Sequence, residues 1–283
     1  MVLPLRSRIA PTPSGYLHIG NAYNFLLTEA LTKKYGGSLC LRIDDLDAPR
    51  VQEEYLQDIF DSLEWLGIRP DTGPQSAADH AAHYTRQLRI PHYERVLREL
   101  VATGKVFACT CSRKDVADHS VDGQYAGTCR DKGLALDSAG VTWRYSTEPG
   151  DIVGWDDGVM GPQTLSVWEH ARDFVIRRRD GIPAYHVASL CDDVSYDINL
   201  IVRGEDLLYS TAAQFHLATV LGMSVFTACT FYHHPLIMDE DGNKLSKSGG
   251  STSLNRLRAS GVSHNDIRAG AAGWYLKYMH ETW

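Results

Sequence analysis

The stretch from Arg8 to Tyr35 constrains the fold of this 283-residue chain more than any other. A strand-like run, Arg8-Ile-Ala10, breaks at Pro11, Pro13 and Gly15, residues that preset or permit turn geometry. Apolar residues then recur at helical spacing from Gly20 to Tyr35. Ser38 to Ile43 alternates like a strand and ends in acids, and Val51 to Leu66 reads as an amphipathic helix stopped by Gly67. Strand, helix, strand and helix in succession predict an α/β fold with a parallel sheet and right-handed crossovers.

The same rhythm predicts a helix over Arg89 to Thr103, closed by Gly104. From about Lys105 to His170, glycines, aspartates and cysteines replace long periodic helices, which predicts an inserted subdomain. The α/β pattern resumes at Phe174-Val-Ile-Arg, Tyr185-His-Val-Ala and Leu200-Ile-Val-Arg. Ala212 to Leu221 reads as a helix, Phe231 to Met238 as extended, and His264 to Met279 as a final helix. The expected division is a catalytic first half over 1–104, an insert over 105–170 and a catalytic second half over 171–283.

Hydrophobic content of 43% with 22% charged residues suits a soluble enzyme with one large core, or one core and an insert. No run of about 18 apolar residues occurs, so no membrane span is expected. The residues ahead of Arg8 are too few for a signal peptide, and a cytoplasmic monomer is the simplest expectation. A net charge of −7 does not announce a nucleic-acid binder, so any RNA partner must be held by local patches. Arg177-Arg178-Arg179 is one such patch, and reads equally well as a solvated strand end.

Two motifs carry nucleotide chemistry. His18 and Gly20 stand at the expected start of the first helix, where free N–H groups and the positive dipole end suit phosphates. Gly20 leaves room for a nucleotide beside the backbone, and His18 can donate to a phosphate oxygen in a transition state. Far downstream, Lys244 and Lys247 lie three positions apart in a Gly/Ser-rich loop, Lys244-Leu-Ser-Lys247-Ser248. Lysine is a mobile point charge suited to a departing pyrophosphate. Each motif alone also reads as an ordinary turn or a solvated basic loop; their combination in one α/β chain is what points to ATP.

Three of the six cysteines, Cys109, Cys111 and Cys129, fall within 21 positions, which suggests a metal site. A set of buried thiols is the plainer reading. Cys40, Cys191 and Cys229 lie in apolar runs and read as core residues.

Together these motifs resemble class I aminoacyl-tRNA synthetases of the glutamyl type. Arg8-Ile-Ala-Pro-Thr-Pro-Ser-Gly, Arg42-Ile-Asp-Asp-Leu-Asp, Asp173-Phe-Val-Ile-Arg, Asp180-Gly-Ile-Pro-Ala-Tyr185-His, Asp192-Asp193 and Ile201-Val-Arg203-Gly-Glu-Asp206 carry the likeness across nearly the whole chain. Cys-x-Cys followed by Tyr125 and Cys129-Arg130 is similar to the free-standing glutamyl-Q tRNA(Asp) synthetase branch.

The resemblance implies a Rossmann-like parallel sheet with a zinc-bearing insert. It implies ATP binding by His18, Gly20, Lys244 and Lys247, with His18 and Lys247 catalytic and Mg²⁺ on the nucleotide. It implies a glutamate pocket of Arg8, Ala10, Thr12, Asp44, Tyr185 and Arg203, with Asp44 for the substrate ammonium. Structural zinc is implied on Cys109, Cys111, Tyr125 and Cys129, His119 competing for the fourth position. The implied acceptor is queuosine in the anticodon loop of tRNA(Asp). The chain ends 35 residues after Ser248, so no anticodon-binding domain is expected. Three positions depart from the family: Asp44 stands where glutamyl enzymes mostly have Glu, Ser189 where several have Asn, and Asn21 where many class I enzymes have a second His. The competing readings are an adenylating enzyme with another amino acid or acceptor, a nucleotidyltransferase of the same superfamily, and a silent binding protein.

Overall fold

The computed structural model of the protein describes residues 4–47, 51–121, 123–237 and 253–278. The chain opens with β1 (Arg6–Ile9), α1 (Ile19–Lys34), β2 (Ser38–Leu41) and α2 (Glu53–Leu66). A short α3 (Ala77–Asp79) leads through a π turn to α4 (Ile90–Ala102). Then come β3 (Val106–Cys109), α5 (Arg113–Asp118), β4 (Thr142–Tyr145), the hairpin β5 (Ile152–Asp157) and β6 (Gly161–Ser166), α6 (Val167–Ala171) and β7 (Phe174–Arg177). The last third holds α7 (Tyr185–Ser195), β8 (Leu200–Gly204), α8 (Leu208–Val220), α9 (Ser224–Thr227), β9 (Thr230–His234), α10 (Leu254–Ala259) and α11 (His264–Tyr278).

Six strands form the main sheet in the order β2-β1-β8-β9-β5-β6. All neighbours are parallel except the edge hairpin β5–β6. Successive strand residues point to opposite faces, and the core divides accordingly. Leu200, Val202 and Tyr232 join a cluster with Phe25 and Leu31 of α1, Ile59 and Leu63 of α2 and Ala271 of α11. Ile201 and Phe231 join the other cluster, with Tyr93 and Leu97 of α4, Val187 and Leu190 of α7 and Leu217 of α8. The result is a sheet with helices on both faces, the α/β layering expected from the sequence. Gly67 ends α2 at φ 70°, a left-handed cap that favours glycine.

A second, antiparallel sheet has the order β3-β4-β7. Sheet membership crosses the expected boundary at residue 170 in both directions. The β5–β6 hairpin, expected in the insert, extends the main sheet through the Asp157–Phe231 pairing. Strand β7, expected in the catalytic second half, belongs with β3 and β4. The reason lies in pairing partners far away in sequence, which local pattern does not encode. Tyr185-His-Val-Ala opens α7.

Candidate active site

Strand β1 lies between β2 and β8, so the chain leaves β1 toward one side of the sheet and returns on the other. Open α/β sheets bind ligands outside the carboxyl ends of the strands at such a switch point. A cavity of about 440 Å³ opens there, lined by the ends of β1 and β8 and the start of α1. It brings together Arg8, Ala10, Thr12, His18, Gly20, Asp44, Tyr185 and Arg203, positions scattered over nearly 200 residues of chain. Lys244 and Lys247 lie outside the described residues.

His18 is the N-cap of α1, with extended backbone. Its Nδ1 accepts from the Gly20 N–H at 3.1 Å, so a neutral ring carries its proton on Nε2. Asn21 completes a capping box, its Oδ1 accepting from the His18 N–H at 3.1 Å. The position where many class I enzymes have a second histidine thus fixes the backbone of the first. A Cβ on Gly20 would meet the His18 ring at 2.8 Å from Cε1 and 2.9 Å from Nδ1. Glycine at this position therefore makes room for His18 itself, as well as for a ligand.

The other wall is a buried network of arginines and carboxylates. Arg8 donates through Nε to Asp193 Oδ1 at 2.9 Å, and Arg42 donates to the same oxygen at 2.7 Å. Burial opposes charge on Asp193, yet Arg8 and Arg42 outweigh it and hold its carboxyl below the usual range. Asp44 accepts from Arg42 at 2.8 and 3.3 Å, and Arg86 approaches it at 3.4 Å. Arg86 and Arg89 also bind Asp192, each at 2.6 Å. Ser189 Oγ accepts from Arg42 at 3.1 Å.

Arg203 differs from these arginines. Its guanidinium donates to Gln214 Oε1 at 2.8 Å, while its Nε and remaining terminal nitrogen are buried with no hydrogen-bond partner. Burial pulls its pKa down and Tyr185 beside it pushes the other way. A buried guanidinium with unused donors on a cavity wall is matched to an anion. Asn24 and His234 close the cavity near α1, joined at 2.8 Å.

Sequence reasoning missed Arg42, Asp193, Arg86, Asn24 and His234 as members of this site. Asn24 is three residues beyond Asn21 on α1 and was findable by helical spacing. The ion pairs of Arg42 and Arg86 have no sequence signature.

The cysteine cluster lies apart, beside the small sheet. The Sγ atoms of Cys109, Cys111 and Cys129 lie within 4.8 Å of one another. Cys111 and Cys129 are 3.6 Å apart, and Tyr125 Oη is 3.5 Å from Cys109 Sγ. A tetrahedral ion with bonds of about 2.3 Å to sulfur and about 2.0 Å to oxygen separates sulfurs by about 3.8 Å and sulfur from oxygen by about 3.5 Å. The donor set fits such an ion. Burial opposes ionisation of Cys129, but the Thr110 N–H and the Tyr125 hydroxyl bring its thiol down to about 6. Burial and its sulfur neighbours push Cys111 up to about 11. Tyr125 is pushed upward, mainly by burial. His119 is exposed, its Nδ1 directed to the Asp115 carbonyl at 2.9 Å, and stands outside the cluster.

The family model for class I tRNA synthetases (E and Q), catalytic domain, matches residues 4–270. The chain belongs to this family. It is a ligase-type enzyme with the class I synthetase fold, a fold that implies ATP with Mg²⁺. Over 277 residues it is 34% identical to a glutamyl-Q tRNA(Asp) synthetase of Nitratidesulfovibrio vulgaris, covering 93% of this chain and 84% of the relative. It is 36% identical to glutamate--tRNA ligase 2 of Acidithiobacillus ferrooxidans, across 91% of this chain but 55% of that protein. The glutamate-tRNA synthetase structure from Elizabethkingia anophelis superposes with a TM-score of 0.72 at 26% identity, over 87% of this chain and 53% of that one. The chain thus spans about half of these longer enzymes and most of the shorter one.

Proposed function

We propose that this enzyme activates glutamate with ATP and transfers the glutamyl group to queuosine in the anticodon loop of tRNA(Asp). The observation that carries the reading is the convergence, in one switch-point cavity, of a helix N-terminus with its His18 cap and of two arginines, Arg8 and Arg203. The first suits a nucleotide phosphate and the second a carboxylate side chain. The likeness to a named glutamyl-Q tRNA(Asp) synthetase, 34% identical over 93% of this chain, supports queuosine as the acceptor.

In this reading the γ-carboxylate of glutamate rests against Arg8 and Arg203, and its ammonium against Asp44. The α-carboxylate attacks the α-phosphorus of ATP in line; the bond to the β-phosphate oxygen breaks, and pyrophosphate leaves. His18 donates from Nε2 to a phosphate oxygen as charge builds, and Lys247 serves the departing pyrophosphate. Mg²⁺ on the nucleotide supplies further neutralisation of the phosphates. A queuosine hydroxyl then attacks the glutamyl carbonyl, the bond from that carbon to the adenylate phosphate oxygen breaks, and AMP departs with the hydroxyl proton taken up by its phosphate. Zinc held by Cys109, Cys111, Tyr125 and Cys129 is structural, because four protein donors leave no open position.

The test is transfer of labelled glutamate, with ATP, to tRNA from normal cells and from cells unable to make queuosine. Label on the first pool alone is the expected result. Equal label on both assigns ordinary 3′-end charging. Pyrophosphate exchange with no label on either pool assigns another acceptor.

A further inference from the structure

Of the five arginines grouped around the switch-point cavity, four are spent on carboxylates. Arg8 and Arg42 meet Asp193, Arg42 and Arg86 meet Asp44, and Arg86 and Arg89 meet Asp192. Arg203 is the exception. It is buried and makes no ion pair among the described residues. Both groups that hold it are neutral: the Gln214 amide accepts from its guanidinium at 2.8 Å, and the Phe231 ring centre lies 5.4 Å from its guanidinium carbon. Burying a guanidinium without a counter-charge costs several kcal/mol, which an anionic ligand would offset.

Gln214 lies behind Arg203 on α8, fully buried and off the cavity wall. Its Nε2 donates to the His186 carbonyl at 3.4 Å, which turns Oε1 toward the arginine. The helix is itself clamped one turn earlier on the same face, where Thr211 Oγ1 lies 2.6 Å from His233 Nε2. His233 donates from Nδ1 to Asp157 Oδ2 at 2.5 Å, and the other oxygen of Asp157 accepts from the Val159 and Met160 N–H groups at 2.9 and 3.0 Å. A relay of buried groups thus joins the β5–β6 turn, β9 and α8. His233 stands opposite Arg203 in the β8–β9 register, so relay and arginine share one face of the sheet. Asp157, Thr211 and His233 are also absent from the cavity wall, so none of them touches a bound ligand there.

We propose that Gln214 sets the preference of this cavity for a carboxylate over an amide side chain, by positioning Arg203 through a neutral acceptor on a helix fixed by Asp157, His233 and Thr211. The inference rests on the reading above that Arg203 faces the γ-carboxylate of glutamate. Gln214 aims the guanidinium without cancelling its charge. A carboxylate at residue 214 would reach the same nitrogen but neutralise it. Arg203 would still donate to the amide oxygen of glutamine, yet would lose the charge-assisted part of its attraction for glutamate. An apolar residue of the same length would strip the guanidinium of its acceptor and leave its charge intact. Gln214 is therefore a positioning residue, and the charge of its replacement decides which property fails.

The test compares glutamate with glutamine in ATP–pyrophosphate exchange for the full chain and for Gln214→Glu, Gln214→Met and Thr211→Val, each beside a melting curve. Gln214→Glu is expected to raise KM for glutamate at least about tenfold with kcat within about threefold, and to cut the glutamate-to-glutamine ratio of kcat/KM at least about tenfold. Its melting temperature should hold or rise, because the new carboxylate meets a buried cation that had no counter-charge. Gln214→Met should raise KM for glutamate about tenfold while glutamate remains the better substrate, and Thr211→Val should act in the same direction by about threefold. Equal losses with glutamate and glutamine in Gln214→Glu overturn the proposal, since Gln214 then only fills space. A Gln214→Glu chain that melts well below the unmodified one overturns it too, because the carboxylate has then found no cation. A preference for glutamate in the unmodified enzyme that Gln214→Glu leaves intact overturns this inference alone. An unmodified enzyme that prefers glutamine overturns the glutamate reading, and this inference with it.

Discussion

At the scale of single residues, His18 and Gly20 form one device. The ring is held by the Gly20 N–H, and its space exists because residue 20 has no Cβ. Gly20→Ala should therefore separate two quantities that usually move together. Alanine favours a helix over glycine by about 1 kcal/mol, so thermal stability should hold or rise. The displaced ring should nevertheless lower the exchange rate at least tenfold at saturating glutamate, read as kcat for ATP–pyrophosphate exchange beside a melting curve. A parallel loss of both would mean that the turn, not the ring, depends on glycine. The grouping of Arg8, Thr12, His18 and Arg203 was legible in sequence because each belongs to a recognisable motif. The electrostatic state of Asp44 was not. Its engagement by Arg42 and Arg86 is made by residues 2 and 42 positions away, brought in by tertiary structure.

At the scale of elements, local periodicity located α1, α2 and α4 to within two residues, since each has an apolar stripe and a terminating signal. Strand partnership was illegible: β7 and the β5–β6 hairpin each joined the sheet on the other side of the expected boundary. The cysteine loop shows what ties these pieces together. Arg130, next to Cys129, pairs with the buried Asp173 just before β7, and Asp173 also accepts from the Thr147 N–H at 3.1 Å. The cluster thus connects through one ion pair to both β4 and β7. Metal removal by chelation, or Cys129→Ser, should raise amide exchange in β3, β4, β7 and the 110–130 loop while β1 and β8 keep their protection. Metal content should be near one equivalent and should drop in Cys109→Ser. Exchange that rises evenly over both sheets would make the cluster a global rather than local clamp; no rise anywhere would make it a set of buried thiols.

Across the whole molecule, titration links the site to stability. Burial pushes the His186 imidazole down to about 4 and also lowers His234, whose ring bonds Asn24 and the Pro235 carbonyl. His186 stands where α7 meets the small sheet, its ring 5.4 Å from that of Phe174. The His186 imidazole is neutral in the folded chain at pH 6, and His234 is shifted in the same direction, whereas in the unfolded chain both bind protons below the ordinary value of 6.5. The unfolded state therefore holds more protons in this window, and stability must rise with pH there. His186 contributes a slope approaching 1.4 kcal/mol per pH unit between about 6.5 and 4, and His234 adds to it with the same sign. Asp193 and Asp45 act with the same sign lower down: their carboxyls are depressed, so their contribution is complete above about 4 and is lost as pH falls through the folded values. Urea midpoints measured from pH 7.5 to 4.5 should fall steadily below about 6.5, and His186→Gln should flatten that decline even if it lowers the value at pH 7.5. A decline as steep in His186→Gln as in the unmodified chain would show that His186 takes up its proton without unfolding, and that the junction between the two sheets admits water.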